Sequence, residues 1–269
     1  MDRELLEKVC HTPGIPGYED AIQDVVQEIL ADVCNEVSCD RMGNVIGLKR
    51  GTTPPSKSER ALRVVLAAHS DEIGMMVKHI DADGFIGFQP VGGLNPQAIV
   101  SQRVIIHCES PVNGVIVPRR NGLPLPTLDE MLIDVGRPRD AVCAVIEVGD
   151  VITFAEELAD LNDQVYVGRN FDDRIGTYCM LEAMKQVGPT AVDVYAVSTV
   201  QEELGVRGAY RCICHRTRHR PCVGRQRHLR GPYIETGIDL RDGKRHGYLY
   251  HGSSDNGQSA TGSFSLQSV

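Results

Sequence analysis

Apolar residues recur at helical spacing near the start of the chain. Within residues 19–34 they occupy Ile22, Val25, Val26, Ile29, Leu30 and Val33, which form one stripe along a helix. A shorter helix is predicted over residues 4–9, and residues 175–187 carry a third helical stripe. Continuous apolar runs favour buried strands at residues 44–49, 62–68 and 192–200.

Between residues 74 and 164 the pattern changes to short strand-like runs separated by Gly and Pro. The runs cover residues 75–80, 85–88, 103–107, 114–117 and 151–154. Residues 121–139 show little pattern and are predicted to form a long loop. The whole pattern predicts an α/β fold, a doubly wound mixed sheet with an inserted small β-barrel.

An adjacent pair of carboxylates, Glu202 and Glu203, follows the apolar run 192–200. Gly205 and Gly208 come next and would allow a sharp turn of the backbone. Neighbouring residues at a strand end point in different directions, so one carboxylate can bind a metal while the other moves a proton. That division of labour suits a metal-dependent hydrolase. Taken alone, the pair also fits a solvated acidic turn.

Two other strand-like runs end in groups that can bind metal. His69 ends the run 62–68, and Asp71 lies two residues later, on the same face of an extended chain. Imidazole suits zinc or cobalt, and a neighbouring carboxylate can fix its tautomer. Asp172 and Asp173 precede the third helical stripe, where one carboxylate could bridge two cations or simply cap the helix. In open α/β sheets, sites form outside the carboxyl ends of the strands.

Six stretches of the chain, taken in order, resemble the tetrahedral aminopeptidases, a family of dinuclear metallopeptidases whose members are often labelled cellulase M or endoglucanase. They are Thr12-Pro-Gly-Ile-Pro-Gly-Tyr-Glu19, Asp40-Arg-Met-Gly-Asn-Val-Ile-Gly47, Ala68-His-Ser-Asp-Glu-Ile-Gly74, Val91-Gly-Gly93, Asn170-Phe-Asp-Asp-Arg174 and Val200-Gln-Glu-Glu-Leu-Gly205. The resemblance covers about residues 1–209, and the ordered set is much more specific than any one stretch.

The resemblance implies a role for each matching residue. His69 and Glu203 would be metal ligands, Asp172 would bridge two divalent metal ions (Zn, Co or Mn), and Asp71 would orient His69. Glu202 would be the general base that deprotonates a water bridging the two metals. The implied activity is removal of N-terminal residues from peptides. The implied partners are a peptide substrate and further copies of the chain, joined through the inserted domain. The family uses a further Asp and His downstream, which have no assignable position in this sequence.

The pattern and the resemblance both stop near residue 209. Residues 210–269 contain nine Arg and one Lys against four acidic residues, and too little apolar material for a packed half-domain. We therefore predict a catalytic domain from residues 1–73 and 165–209, an inserted barrel at 74–164, and an aberrant tail at 210–269. The first hypothesis for the tail is an out-of-frame or truncated product of a normal gene.

Two rival interpretations of the tail are a basic segment that binds nucleic acid and a zinc knuckle. The knuckle would use Cys212, Cys214, His215 and Cys222, whose spacing matches no common zinc finger. With the tail replacing the expected strands and helices, the chain could also be a catalytically inactive, truncated or frame-shifted homologue that still oligomerises.

Composition narrows the functional classes. Residues 1–209 carry a net charge of −14, which the +6 of residues 210–269 reduces to −8 for the whole chain, and this disfavours nucleic acid as the partner of residues 1–209. The chain has no Trp and 5% aromatic residues, which weighs against the glycan hydrolase alternative, because sugar clefts stack on aromatic rings. Nine scattered Cys and the lack of an apolar signal or membrane-length run predict a reduced, cytoplasmic protein that does not enter membranes.

Overall fold

The computed structural model describes residues 2–52, 63–119, 126–163 and 165–210, together with three short strands near the end of the chain. The helices are α1 (Arg3–His11), α2 (Asp20–Val33), α3 (Pro96–Ile99), α4 (Arg139–Cys143) and α5 (Phe171–Gln186). The strands before α5 are β1 (Glu36–Cys39), β2 (Val45–Lys49), β3 (Arg63–His69), β4 (Gly74–Ile80), β5 (Ile86–Val91), β6 (Arg103–His107), β7 (Val112–Pro118), β8 (Met131–Asp134), β9 (Val151–Phe154), β10 (Ala159–Asn162) and β11 (Val165–Val167). After α5 come β12 (Asp193–Thr199), β13 (Gly237–Asp239), β14 (His246–Tyr248) and β15 (Ser263–Ser265).

A four-stranded mixed sheet forms the base of the α/β part, in the order β1-β2-β12-β3. β12 runs parallel to β3 and antiparallel to β2. In the parallel pair Thr199 lies opposite His69, so both strands end at one edge of the sheet. Residues that follow Thr199 therefore emerge beside His69, so two of the three predicted strand ends meet at this edge, whereas the strand before Asp172, β11, pairs with β10 in a separate sheet.

Helices α1, α2 and α5 pack together over this sheet. Ile22, Val26 and Leu30 of α2 are fully buried and share one core with Val45 of β2 and Ala196 of β12. The helical stripe predicted over residues 19–34 is thus the buried face of α2. α1 begins with Asp2 as its N-cap, whose carboxylate accepts a hydrogen bond from the backbone N–H of Leu5 at 3.0 Å.

The contact between α2 and β2 depends on the absence of a side chain at Gly47. A Cβ at this position would lie 2.8 Å from Cys34 Sγ and 3.2 Å from Leu30 Cδ1. We expect Gly47→Ala to lower the free energy of unfolding by about 1–3 kcal/mol through overpacking. Chemical denaturation measures the change. The matched control is Gly188→Ala, where an added Cβ meets no atom within 4 Å, and an equal loss in both variants would contradict the packing argument.

The predicted barrel is present as a closed ring of six strands in the order β4-β5-β8-β7-β6-β9. Its core includes Met75, Ile86, Val104, Ile116 and Ile152, all fully buried. The prediction of a long loop over residues 121–139 is wrong for part of this range. Residues 128–130 form a 3-10 helix and β8 closes the ring between β5 and β7. A four-residue strand carries too short a pattern to be recognised without its partners.

The tail contributes β13, β14 and β15, which pair antiparallel as a small three-stranded sheet. The rest of residues 211–269 lies outside the described residues. The frame-shift, nucleic-acid and zinc-knuckle hypotheses concern these residues and therefore stay predictions. The division of the chain at residues 73, 164 and 209 also stays a prediction. None of the helices described is both long and apolar enough to cross a lipid bilayer.

Candidate metal centre

His69 stands at the end of β3 and is almost completely buried. Two contacts from other elements hold its segment. The hydroxyl of Thr177 in α5 donates to the carbonyl of His69 at 3.0 Å, and the backbone N–H of Ser70 donates to the carbonyl of Thr199 at 2.9 Å. The helix and the neighbouring strand therefore both fix the position of the imidazole.

The two nitrogens of the His69 ring face different groups. Nδ1 lies 3.1 Å from the backbone carbonyl of Asp71, and Nε2 lies 3.2 Å from Asp172 Oδ1 and 3.9 Å from Glu202 Oε2. When Nδ1 donates to the carbonyl, Nε2 presents its lone pair to the carboxylates. This is the orientation that a metal-binding histidine requires.

Asp71 is fully buried and links the segment of His69 to the pair of glutamates. Its carboxylate accepts hydrogen bonds from the backbone N–H groups of Glu202 and Glu203, each at 2.9 Å, and Oδ1 lies 3.5 Å from His69 Nδ1. Burial acts to raise the pKa of Asp71, but these hydrogen bonds and the imidazole outweigh it and lower the pKa. An ionised Asp71 thus holds both the turn and the ring.

The turn that carries the glutamates is held at both ends. Glu19 accepts a hydrogen bond from the backbone N–H of Gln201 at 3.0 Å. The N–H of Gly205, which has a φ of +104°, donates to the carbonyl of Glu202 at 2.8 Å. Gly208 is required by close approach, because a Cβ there would collide with Asn44 and the backbone of Val200. The sharp turn predicted from the two glycines is present.

Asp172 and Asp173 have separate positions at the start of α5, joined by a cis peptide bond. Asp173 Oδ1 accepts a hydrogen bond from the backbone N–H of Gly176 at 3.0 Å and so caps the regular part of the helix. The carboxylate of Asp172 instead turns to His69 and is 53% exposed. The alternative that either aspartate is only a helix cap applies to Asp173.

The donor set fits a divalent cation. One ligand atom each from His69, Glu202 and Glu203 lies within 4.8 Å of the others, in the only such group among the described residues. An imidazole with carboxylates suits zinc and similar first-row ions. Asp172 lies beside this group at its contact with His69.

The charges around the imidazole of His69 also favour a bound cation. Burial, together with the neighbouring carboxylates, raises the pKa of Glu203 to about 7 against the opposing effect of His69. Burial lowers the pKa of His69, but hydrogen bonds with Asp172 and Asp71 outweigh it and raise the pKa to about 11. Carboxylates outnumber the single cationic group here, so a bound cation would relieve their mutual repulsion.

The structure brings all five predicted residues into one site but does not separate their roles as the sequence did. Glu202, predicted to be the base, lies with His69 and Glu203 among the possible ligands, whereas the predicted bridge Asp172 lies at the edge. The assignment of base, bridge and ligands stays a prediction.

Sequence analysis gave no role to Glu19 or Glu72, although both stand within the quoted motifs. Both are buried, Glu19 beneath the turn of the glutamates and Glu72 beneath the start of α5. The only local sign of a role for Glu19 or Glu72 is a carboxylate next to an apolar run. The burial of these two side chains depends on hydrogen-bond donors from distant segments.

Residues 43–217 match the family described as M42 glutamyl aminopeptidase. The chain is 37% identical to a lysyl aminopeptidase of Pyrococcus furiosus, over 78% of this chain and 62% of the relative. An aminopeptidase structure from Desulfurococcus kamchatkensis superposes with a TM-score of 0.71 at 34% identity, over 77% of this chain and 58% of the other.

A TET peptidase of Pyrococcus horikoshii, which can assemble into a tetrahedron or a large octahedral shell, superposes with a TM-score of 0.65 at 27% identity. That match covers 77% of this chain and 63% of the other. The chain thus spans about three fifths of the length of the relatives that it matches.

Proposed function

Because the chain belongs to the M42 glutamyl aminopeptidase family, we propose that it removes residues from the N-termini of peptides with the help of two divalent metal ions. The observation that carries the proposal is the donor set at one edge of the sheet, where His69, Glu202 and Glu203 offer ligand atoms within 4.8 Å of one another. Asp172 Oδ1 lies 3.2 Å from His69 Nε2 and would add a further carboxylate to this set.

Each residue has a chemical task in this proposal. His69 through Nε2, Glu203 and Asp172 would hold the cations. When bound, such cations would polarise a peptide carbonyl and lower the pKa of an attacking water. Glu202 accepts the proton of the attacking water and passes it to the departing amine. Asp71 fixes the ring of His69 and the backbone of both glutamates. Zinc, cobalt and manganese all suit these ligands.

A specific observation keeps a second candidate function in view. Among the described residues, one group of three donors is present, and the match covers 62% of the lysyl aminopeptidase relative. A chain that binds a single cation weakly would be an inactive homologue that still folds and oligomerises.

Metal content and substrate choice distinguish these candidates. We expect about two equivalents of zinc, cobalt or manganese per chain, as two-metal hydrolases require, and hydrolysis of aminoacyl anilides that stops on chelation and returns with the metal. Elemental analysis measures the first quantity and the release of the aniline measures the second. One equivalent or fewer, with no hydrolysis, would favour the inactive homologue. Cleavage of a cellulose derivative in the parallel assay would favour the glycan hydrolase.

We also propose that the barrel joins copies of the chain into a homo-oligomer in the cytoplasm. The assembly of the Pyrococcus horikoshii relative supports this proposal. The described cysteines form no disulfide with one another, which is compatible with a reducing compartment. Light scattering of the purified chain measures the assembly, and a monomer at all concentrations would contradict it.

A further inference from the structure

Four polar side chains form a buried cluster behind the metal centre. The Glu72 cluster consists of Glu72, Arg169, Asn170 and Arg174. Glu72 is 2% exposed and Arg174 is completely buried. Charged side chains are rarely placed so deep without a paired group, and the proposed chemistry uses none of these four.

Glu72 is the centre of the cluster. Its Oε1 accepts a hydrogen bond from the backbone N–H of Gly14 at 3.1 Å and lies 3.7 Å from Arg174 Nη2. Its Oε2 accepts a hydrogen bond from Asn170 Nδ2 at 3.1 Å and lies 3.6 Å from Arg169 Nε. One carboxylate thus contacts two other segments of the chain, the one at Gly14 and the start of α5 with the residues just before it.

These contacts join the two segments that present the proposed ligands. Glu72 follows His69 by three residues, whereas Asn170 precedes Asp172 by two. The hydrogen bond between Glu72 and Asn170 therefore joins the same two segments as the 3.2 Å contact of His69 Nε2 with Asp172 Oδ1.

The start of α5 depends on side-chain contacts for its position. Asn170 has a φ of +53°, and Asp172 and Asp173 have non-helical backbone angles, so this turn is irregular, although the N–H of Arg174 donates to the carbonyl of Asn170 at 3.2 Å. Asn170 instead donates from Nδ2 to the carbonyl of Cys10 at 2.9 Å and to Glu72. Arg169, the residue before Asn170, contacts the barrel, where its Nη1 donates to Thr153 Oγ1 at 2.8 Å.

We propose that Glu72 is a positioning residue of the metal centre, because its hydrogen bond with Asn170 sets the separation of Asp172 from His69. The affinity of the site for a divalent cation then depends on a carboxylate that does not touch the ion. Groups that orient metal ligands typically change metal affinity by about 10- to 100-fold when they are replaced. The catalytic consequence rests on the proposed function, whereas the effect on cation binding does not.

Two isosteric substitutions test this proposal in the full chain. Glu72→Gln removes the charge, and Asn170→Asp replaces the donor that faces Glu72 by a second carboxylate. Aspartate accepts a positive φ nearly as well as asparagine, so this variant keeps the backbone and carries the test even if Glu72→Gln does not fold. The affinity for Zn²⁺ is measured by competition with a chromophoric chelator, and the melting temperature is measured in EDTA.

We expect each single variant to bind Zn²⁺ about 10- to 100-fold more weakly than the unmodified chain. The double variant Glu72→Gln/Asn170→Asp exchanges donor and acceptor across the same hydrogen bond, and we expect it to bind more tightly than either single variant. Val26→Ala is the control, because it removes volume from the core of α2 and should lower the melting temperature without changing the affinity.

Unchanged Zn²⁺ affinity in a folded Asn170→Asp protein would overturn the proposal, as would an equal loss of affinity in Val26→Ala. A chain that binds Zn²⁺, shows the expected loss and recovery, and yet cleaves no aminoacyl anilide would refute the proposed function and leave the role of Glu72 standing.

Discussion

Replacing Glu202 by Gln is expected to lower kcat for aminoacyl anilides by about 10²- to 10⁴-fold, the usual contribution of a general base. Glutamine keeps the length and shape of the side chain but cannot take a proton from water. The turn should persist, because Asp71 holds the backbone N–H groups of residues 202 and 203 rather than their side chains. The metal content should therefore remain that of the unmodified chain.

Steady-state kinetics and elemental analysis of the same preparation measure this prediction. Glu203→Gln is the matched control at the neighbouring position, and it should lose bound metal together with activity. A Glu202→Gln protein that retains activity would show that another group is the base. Loss of metal from that variant would instead make Glu202 a ligand, as its position with His69 and Glu203 permits.

Arg174→Met is expected to produce the largest loss of stability. The guanidinium donates from Nη1 to the carbonyls of Val9 and Thr12, and its Nη2 faces Glu72 at 3.7 Å. Methionine fills much of the space but leaves two buried carbonyls without this donor and Glu72 without one of its two cations. Breaking a buried ion pair by removing one partner typically costs about 3–5 kcal/mol.

The free energy of unfolding from urea titration measures this loss. The control is Arg50→Met, which removes an arginine that is 60% exposed and paired with Glu36 at the surface. Exposed ion pairs contribute little because water screens them, so this variant should unfold almost as the unmodified chain does. Similar losses in both variants would contradict the view that burial gives Arg174 its importance.

The short motif of residues 69–72 contributes to three different parts of the site. His69, Asp71 and Glu72 are nearly consecutive, yet the imidazole faces the carboxylates of the site, Asp71 faces the glutamate turn, and Glu72 faces α5. Successive side chains of an extended segment point in opposite directions, which separates Asp71 from Glu72. A substitution of His69 should therefore act on metal binding directly, whereas substitutions of Asp71 and Glu72 should act on it through the glutamate turn and the start of α5.

The sequence alone determined the features that depend on local periodicity. The stripe on α2 follows from apolar residues at helical spacing, the strands β2, β3 and β12 from continuous apolar runs, and the barrel after residue 74 from short runs separated by Gly and Pro. The site residues could be proposed for the same reason, because His69 and the glutamates directly follow apolar runs and the ordered motifs resemble one family.

Only the tertiary structure decided which distant groups meet. The parallel register that sets Thr199 opposite His69 joins segments about 130 residues apart, and no local pattern encodes it. The strand β8 lies in a segment without pattern because its partners β5 and β7 define it. Likewise, the acidic Glu72 is buried because Asn170, 98 residues later in the chain, and two neighbouring arginines reach it. Burial of a charge is determined by its partners, and partners are a property of the folded chain.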